Sequence, residues 1–165
     1  MIGNAPSSAH IFVAVAALAA AAPAFSADAL TAEASLSGVP AFRVVVERLP
    51  PGIEESLRLR RDELQAIVEA RLARASIAVA QDAPALLYVN VAVVCDRLSC
   101  AFNVAVEVQQ PVRLEARPAA GPLVAVTWST GSTGIAARRP SAIRVRVREQ
   151  ADAFVEAYRA ANPRK

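Results

Sequence analysis

Histidine is almost missing: His10 is the only one in 165 residues, and it falls in an apolar amino-terminal stretch that reads as a removable export signal. A processed chain without histidine has no Ser-His-Asp or Cys-His arrangement, and no zinc site of the usual histidine-containing types. Chemistry near neutral pH would then fall to carboxylates, tyrosine or arginine. Lysine is confined to Lys165, and no phosphate-binding loop with its following lysine occurs. Cysteine is limited to Cys95 and Cys100. Neither stands at a signal cleavage site, which excludes lipid attachment there, and their spacing is not the two-residue spacing of a thioredoxin-like redox motif. Long apolar runs are missing too. The longest, Ile11 to Ala22, is short of the roughly 20 residues a membrane span requires.

That run is followed by Pro23 and then Ala24-Phe25-Ser26-Ala27, the order of a signal peptide with small residues at the minus-three and minus-one positions. Residues 1–26 are therefore expected to be cleaved between Ser26 and Ala27. Export places the protein in the periplasm or outside the cell, with no transmembrane anchor after cleavage and with no nucleic acid among its partners. The remaining 139 residues suit a single domain over 41–163, preceded by a small, polar, flexible leader over 27–40. The net charge of +3 is unevenly placed: from Arg138 onward eight basic residues face three acids. Arg144, Arg146 and Arg148 mark a candidate surface for another envelope protein or an anionic surface.

Phe42 to Leu49 reads as a strand ended by Pro50-Pro51-Gly52. Leu64, Ile67, Val68, Leu72 and Ala75 recur at helical spacing, and Ile77 to Val79 forms a possible short strand. From Leu86 to Arg117 two alternating segments flank Asp96-Arg97-Leu98-Ser99 and bring Cys95 opposite Cys100. That register pairs Val93 with Phe102, Val91 with Val104, Val89 with Val106 and Leu87 with Val108, all apolar, whereas a one-residue slip would bury Asn103, Glu107 and Gln109. The two cysteines are expected to form a structural disulfide. Tyr88, Asn90, Asn103 and Glu107 gather on the opposite face as a candidate partner surface. Leu123 to Ser129 adds a strand running out into a Gly/Ser/Thr turn whose amides are a candidate anion site. The last element is a helix capped by Ser141, although Ile143 to Arg148 alternates as a strand would. The order predicts an α+β domain: an antiparallel sheet of about four strands with two helices on one face.

Val44-Val45-Val46, the LQAIVEARLARASIAVAQDAPALLYVNVAV stretch, the hairpin, the Trp-containing strand and the closing DAFVEAYRAANP together resemble small bacterial envelope proteins and periplasmic accessory modules. The resemblance implies the two-layer fold and carries no functional residue with it. The expected function is that of a non-catalytic exported binding or accessory protein, without cofactor, metal or catalytic residue. Two alternatives are an inhibitor working through Asp96 to Ser99 and an enzyme joining Glu47, Glu107 or Glu115 to Tyr88.

Overall fold

The computed structural model describes residues 32–163. The expected signal peptide, its expected cleavage site at Ser26 and Ala27, and the first residues of the expected leader lie outside them. Five strands form one sheet: β1 (Ala41–Val46), β2 (Ala78–Val79), β3 (Leu86–Cys95), β4 (Ser99–Val112) and β5 (Leu123–Ala137). Their order is β2-β1-β3-β4-β5. Three helices accompany them: α1 (Ile53–Leu57), α2 (Arg61–Arg74) and α3 (Pro140–Ala161).

The expected antiparallel four-stranded sheet is corrected to a mixed five-stranded one. β3, β4 and β5 form the antiparallel meander, but β1 runs parallel to both β2 and β3. The cause is the length of α2. Fourteen helical residues rise about 21 Å, enough to return the chain to the end of the sheet where β1 began, so the strands that follow point the same way as β1. Between β1 and α2, Gly52 takes a left-handed backbone (φ 78°) after the two prolines, and Arg58 does the same (φ 50°). The second turn aims both Leu57 and Leu59 into the core, which accounts for the alternation of Leu57-Arg58-Leu59-Arg60.

One face of the sheet supplies the core. Phe42, Val44 and Val46 of β1, Leu87, Val89, Val91 and Val93 of β3, Phe102, Val104, Val106 and Val108 of β4, and Trp128 of β5 are all buried. Leu64, Val68 and Leu72 of α2 and Ile143, Val147, Ala151 and Phe154 of α3 cover them. Two ion pairs tie the helices together, Arg71 to Asp152 at 2.7 Å and Arg144 to Glu63 at 2.6 Å. The alternating stretch Ile143 to Arg148 is helical, with Ile143 and Val147 buried and Val145 exposed. Pro140 occupies the first turn, where its fixed φ and missing N–H cost nothing, and Arg139, not Ser141, is the N-cap.

The part of the expected flexible leader that the structure describes is packed. Ala32–Leu36 forms a 3-10 turn packed against α3 and β5, and Leu36 is fully buried. Burial of Leu36 and Val39 holds this segment, a signal too short to show as periodicity.

Candidate functional site

The hairpin matches the expected register at every pair from Leu87 with Val108 to Cys95 with Cys100, and the two cysteines are joined by a disulfide. Its loop is tighter than four residues, because Asp96 N–H donates to Ser99 O at 2.9 Å. The Asp96 carboxylate accepts from the N–H groups of Leu98 and Ser99 at 2.8 and 2.7 Å. Those backbone donors hold its pKa below the ordinary value. Asp96 thus folds the tip on which Arg97 and Leu98 stand exposed.

With the disulfide fixing phase, the odd-numbered residues of β4 and their partners face away from the helices. Tyr88 lies opposite Glu107, Asn90 opposite Ala105, and Asn103 opposite both Ala92 and Thr133. All four predicted surface residues, Tyr88, Asn90, Asn103 and Glu107, share this open face and are half-buried by one another. Sequence reasoning named Glu47 only for an enzyme site; the structure places it just past β1, where it accepts a hydrogen bond from Asn90 Nδ2. The parallel β1–β3 pairing sets Val45 beside Tyr88 and so brings Glu47 within reach, an alignment no local pattern in β1 announces. Gln109 donates to Glu107 at 3.3 Å and Asn103 to Thr133 Oγ1 at 3.2 Å. The middle of the face is a polar network. Its ends are apolar: Val94 and Ile135 are exposed near the hairpin tip, and Val124 and Val126 at the far end.

The Tyr88 phenol donates to Glu47, and this bond, followed by desolvation and the negative charges of Glu47 and Glu107, raises its pKa above the ordinary 10. The protonated form is therefore the favoured one in the fold. Its contribution to stability is complete below about pH 10 and is lost as pH rises through the raised pKa. Absorbance titration at 295 nm of a Tyr158→Phe variant, which isolates Tyr88, is expected to show ionisation above pH 10. Glu47→Gln should lower the midpoint; an unchanged midpoint would remove Glu47 as the cause.

Other predicted positions separate. Glu115 sits in the exposed connection after β4, away from Tyr88. Arg144 is committed to Glu63 and to the carbonyl of Arg58. Arg148 lies on the α2 side of α3 with Arg71 and Arg74, while Arg146 lies on the β5 side, paired with Glu149 at 2.8 Å. The three arginines thus do not form one surface. The carboxylates Glu54, Glu55 and Asp62 border an open concavity that also holds Arg58, Arg60 and Arg61. Asp62 is held at about 2, chiefly by its hydrogen bond with Arg60, and stays ionised at neutral pH.

The Gly/Ser/Thr stretch is strand, not turn, since β5 continues through Ala137. Its hydroxyls have structural partners: buried Gln150 of α3 accepts from Thr130 Oγ1 at 2.9 Å and donates to Ser132 Oγ at 3.3 Å. Gly134 faces Phe102 across the ladder, and a Cβ there would fall 2.6 Å from the ring. The glycine is required because the ring lies on its backbone.

Among the described residues there is no group of three or more metal-ligating side chains, and no helix is long and apolar enough to cross a membrane. No family model matches the chain and no curated protein matches it, so the reading of this site rests on its own residues.

Proposed function

We propose that this protein is a non-catalytic exported accessory protein, periplasmic or secreted, that binds another envelope protein through the open face of its sheet. The observation that carries this reading is the bare second face of a partly parallel sheet. Parallel strands are normally covered on both faces because their connections place helices there. Among the described residues, α2 and α3 both lie on the same face, and β1 and β3 present Arg43, Tyr88, Asn90 and Val94 on the other without cover. A polar centre rimmed by Val94, Ile135, Val124 and Val126 suits a protein partner: the apolar ends lose water on contact, and the central side chains set orientation. The export signal and the disulfide favour an oxidising compartment.

Site-specific photocrosslinking in cells tests it. A photoreactive residue at Asn103 is expected to give a discrete adduct with an envelope protein, while the same residue at Arg74, on the helical side, gives none. Adducts from Arg74 alone, or from neither position, would overturn the reading.

A further inference from the structure

Beyond the open face, the outer edge of the sheet has its own chemistry. β5 is the last strand, and its fifteen residues contain no charge and no proline, the two commonest devices that keep an edge from pairing. Its one irregularity lies near Trp128, opposite Val108 and Gln109, so the stretch from Ser129 to Ala137 is regular. The ladder phase identifies the unused groups. Asp96 and Ser99 form a hydrogen-bonded pair, so Cys95 and Cys100 form a non-hydrogen-bonded one, and Cys100 directs its backbone groups toward β5. By alternation Ser129, Gly131, Thr133 and Ile135 point N–H and C=O away from the sheet. Among the described residues no hydrogen bond reaches them.

A groove opens beside this edge. Ala142, Val145 and Arg146 of α3 stand across from Gly134 to Ala137 over a concavity of ≈ 480 Å³ floored by Phe102, with Arg139 at its rim. Val145 at the mouth is exposed, and Ile135 is exposed on the other face of the same strand. Two guanidiniums line the groove and no carboxylate does; the Arg146 pairing with Glu149 is solvent-exposed and exchanges readily with another anion.

We propose that β5 and this groove bind one extended acidic segment of a partner protein, added as a sixth strand with a bulky apolar side chain in the groove and a carboxylate at Arg139 and Arg146. Main-chain bonds to the odd-numbered residues supply affinity that is blind to sequence, and the groove and guanidiniums supply selection. Charge decides against a second copy as occupant. β5 of another molecule brings no carboxylate, and the residues next to it, Arg138 and Arg139, carry the same sign as the rim.

The test is an amide-resolved NMR titration of the exported protein with a blocked heptapeptide of alternating valine and polar residues around one phenylalanine flanked by aspartates. Its counterpart has lysines for aspartates. Saturable shifts are expected at Ser129–Ala137 and Ala142–Arg146, with the lysine peptide about tenfold weaker. The double variant Arg139→Glu, Arg146→Glu should invert that preference. Ile135→Pro removes an outward N–H without removing a bond to β4 and should weaken binding, whereas Ile135→Thr should not; circular dichroism verifies that each variant folds. No saturation at millimolar peptide, equal binding of both peptides, or binding that survives both the charge reversal and Ile135→Pro would overturn the proposal. Light scattering that gives a dimer with β5 amides protected would assign the edge to a second copy and overturn it as well. Ile135 also belongs to the open-face rim, but the peptide charge preference and its inversion by Arg139→Glu, Arg146→Glu involve no residue of that face, so the open-face reading stands or falls separately.

Discussion

Replacing Phe154 with alanine is expected to cost about 3–5 kcal/mol of unfolding free energy, the range for a fully buried aromatic truncated in a packed core. Phe154 is wholly buried. Its ring meets Phe42 edge-on at 5.1 Å and Trp128 edge-on at 5.4 Å, and lies 6.1 Å from Tyr158. Phe42 is on β1 and Trp128 on β5, strands separated in the sheet by β3 and β4, so one ring ties the parallel part of the sheet to its antiparallel edge. Removing it leaves a cavity bounded by three aromatic rings, each anchored to a different element, and rigid walls of that kind collapse poorly. Edge-on aromatic pairs add about 0.5–1.5 kcal/mol beyond buried area, which places this site toward the upper end. Urea unfolding followed through Trp128, the only tryptophan, measures the change directly. Phe154→Leu retains most of the volume and should cost clearly less. A loss below about 1.5 kcal/mol for the alanine variant would mean that α3 is not the keystone of the two layers.

The hairpin was legible because two independent signals, cysteine placement and apolar alternation, select the same register. Apolar and polar residues alternate along both strands, so apolar meets apolar on one face, and a one-residue slip would bury Asn103, Glu107 and Gln109. The open-face residues Tyr88, Asn90, Asn103 and Glu107 followed from that register with no further assumption. Parallel pairing left no comparable trace. β1 reads the same whether its neighbour runs with it or against it, and only the path of α2 decides. The short strand read at Ile77 to Val79 is present as β2, but two residues are too few to show which way it pairs. The far half of β5 was hidden by composition, since Ser129 to Gly134 has the residues of a turn. The structure uses Gly134 to admit Phe102 and the hydroxyls of Thr130 and Ser132 to satisfy Gln150, demands set by other elements. At Ile143 to Arg148 the strand-like and helical patterns coincide over six residues, and the longer run through Ala151 and Phe154 resolves them. Glu47 reaches Asn90 only through the parallel pairing of β1 with β3, and the groove beside β5 depends on how sharply the chain turns between Ala137 and Pro140 and on Phe102 beneath it, neither of which a local pattern announces.

Leu36→Ala separates a docked segment from a tether, and about 2–5 kcal/mol is expected to be lost, as for other leucines truncated at full burial. In a flexible leader the same change would fall within about 0.5 kcal/mol. The expectation of a large effect rests on the polar contacts surrounding Leu36 as well as on its burial. Asn162, just past α3, donates from Nδ2 to Leu36 O at 3.0 Å and accepts from Gly38 N–H at 2.8 Å. Gly38 reaches that position with φ 72°, a left-handed backbone that a side chain would strain. Tyr158 donates to Val39 O at 2.8 Å, Gln110 to Ser35 O at 3.0 Å, and Ser35 Oγ to Thr127 O at 3.0 Å. Loss of the leucine loosens the turn, and each of these partners then exchanges a protein bond for water. The segment therefore closes the end of the core between α3 and β5, at the opposite end of β5 from the proposed peptide groove. Urea unfolding of Leu36→Ala gives the energy, and hydrogen exchange at Gly38 gives the mechanism. Fast exchange at Gly38 in the unaltered protein, or a cost under about 0.5 kcal/mol, would return residues 32–40 to the status of a tether.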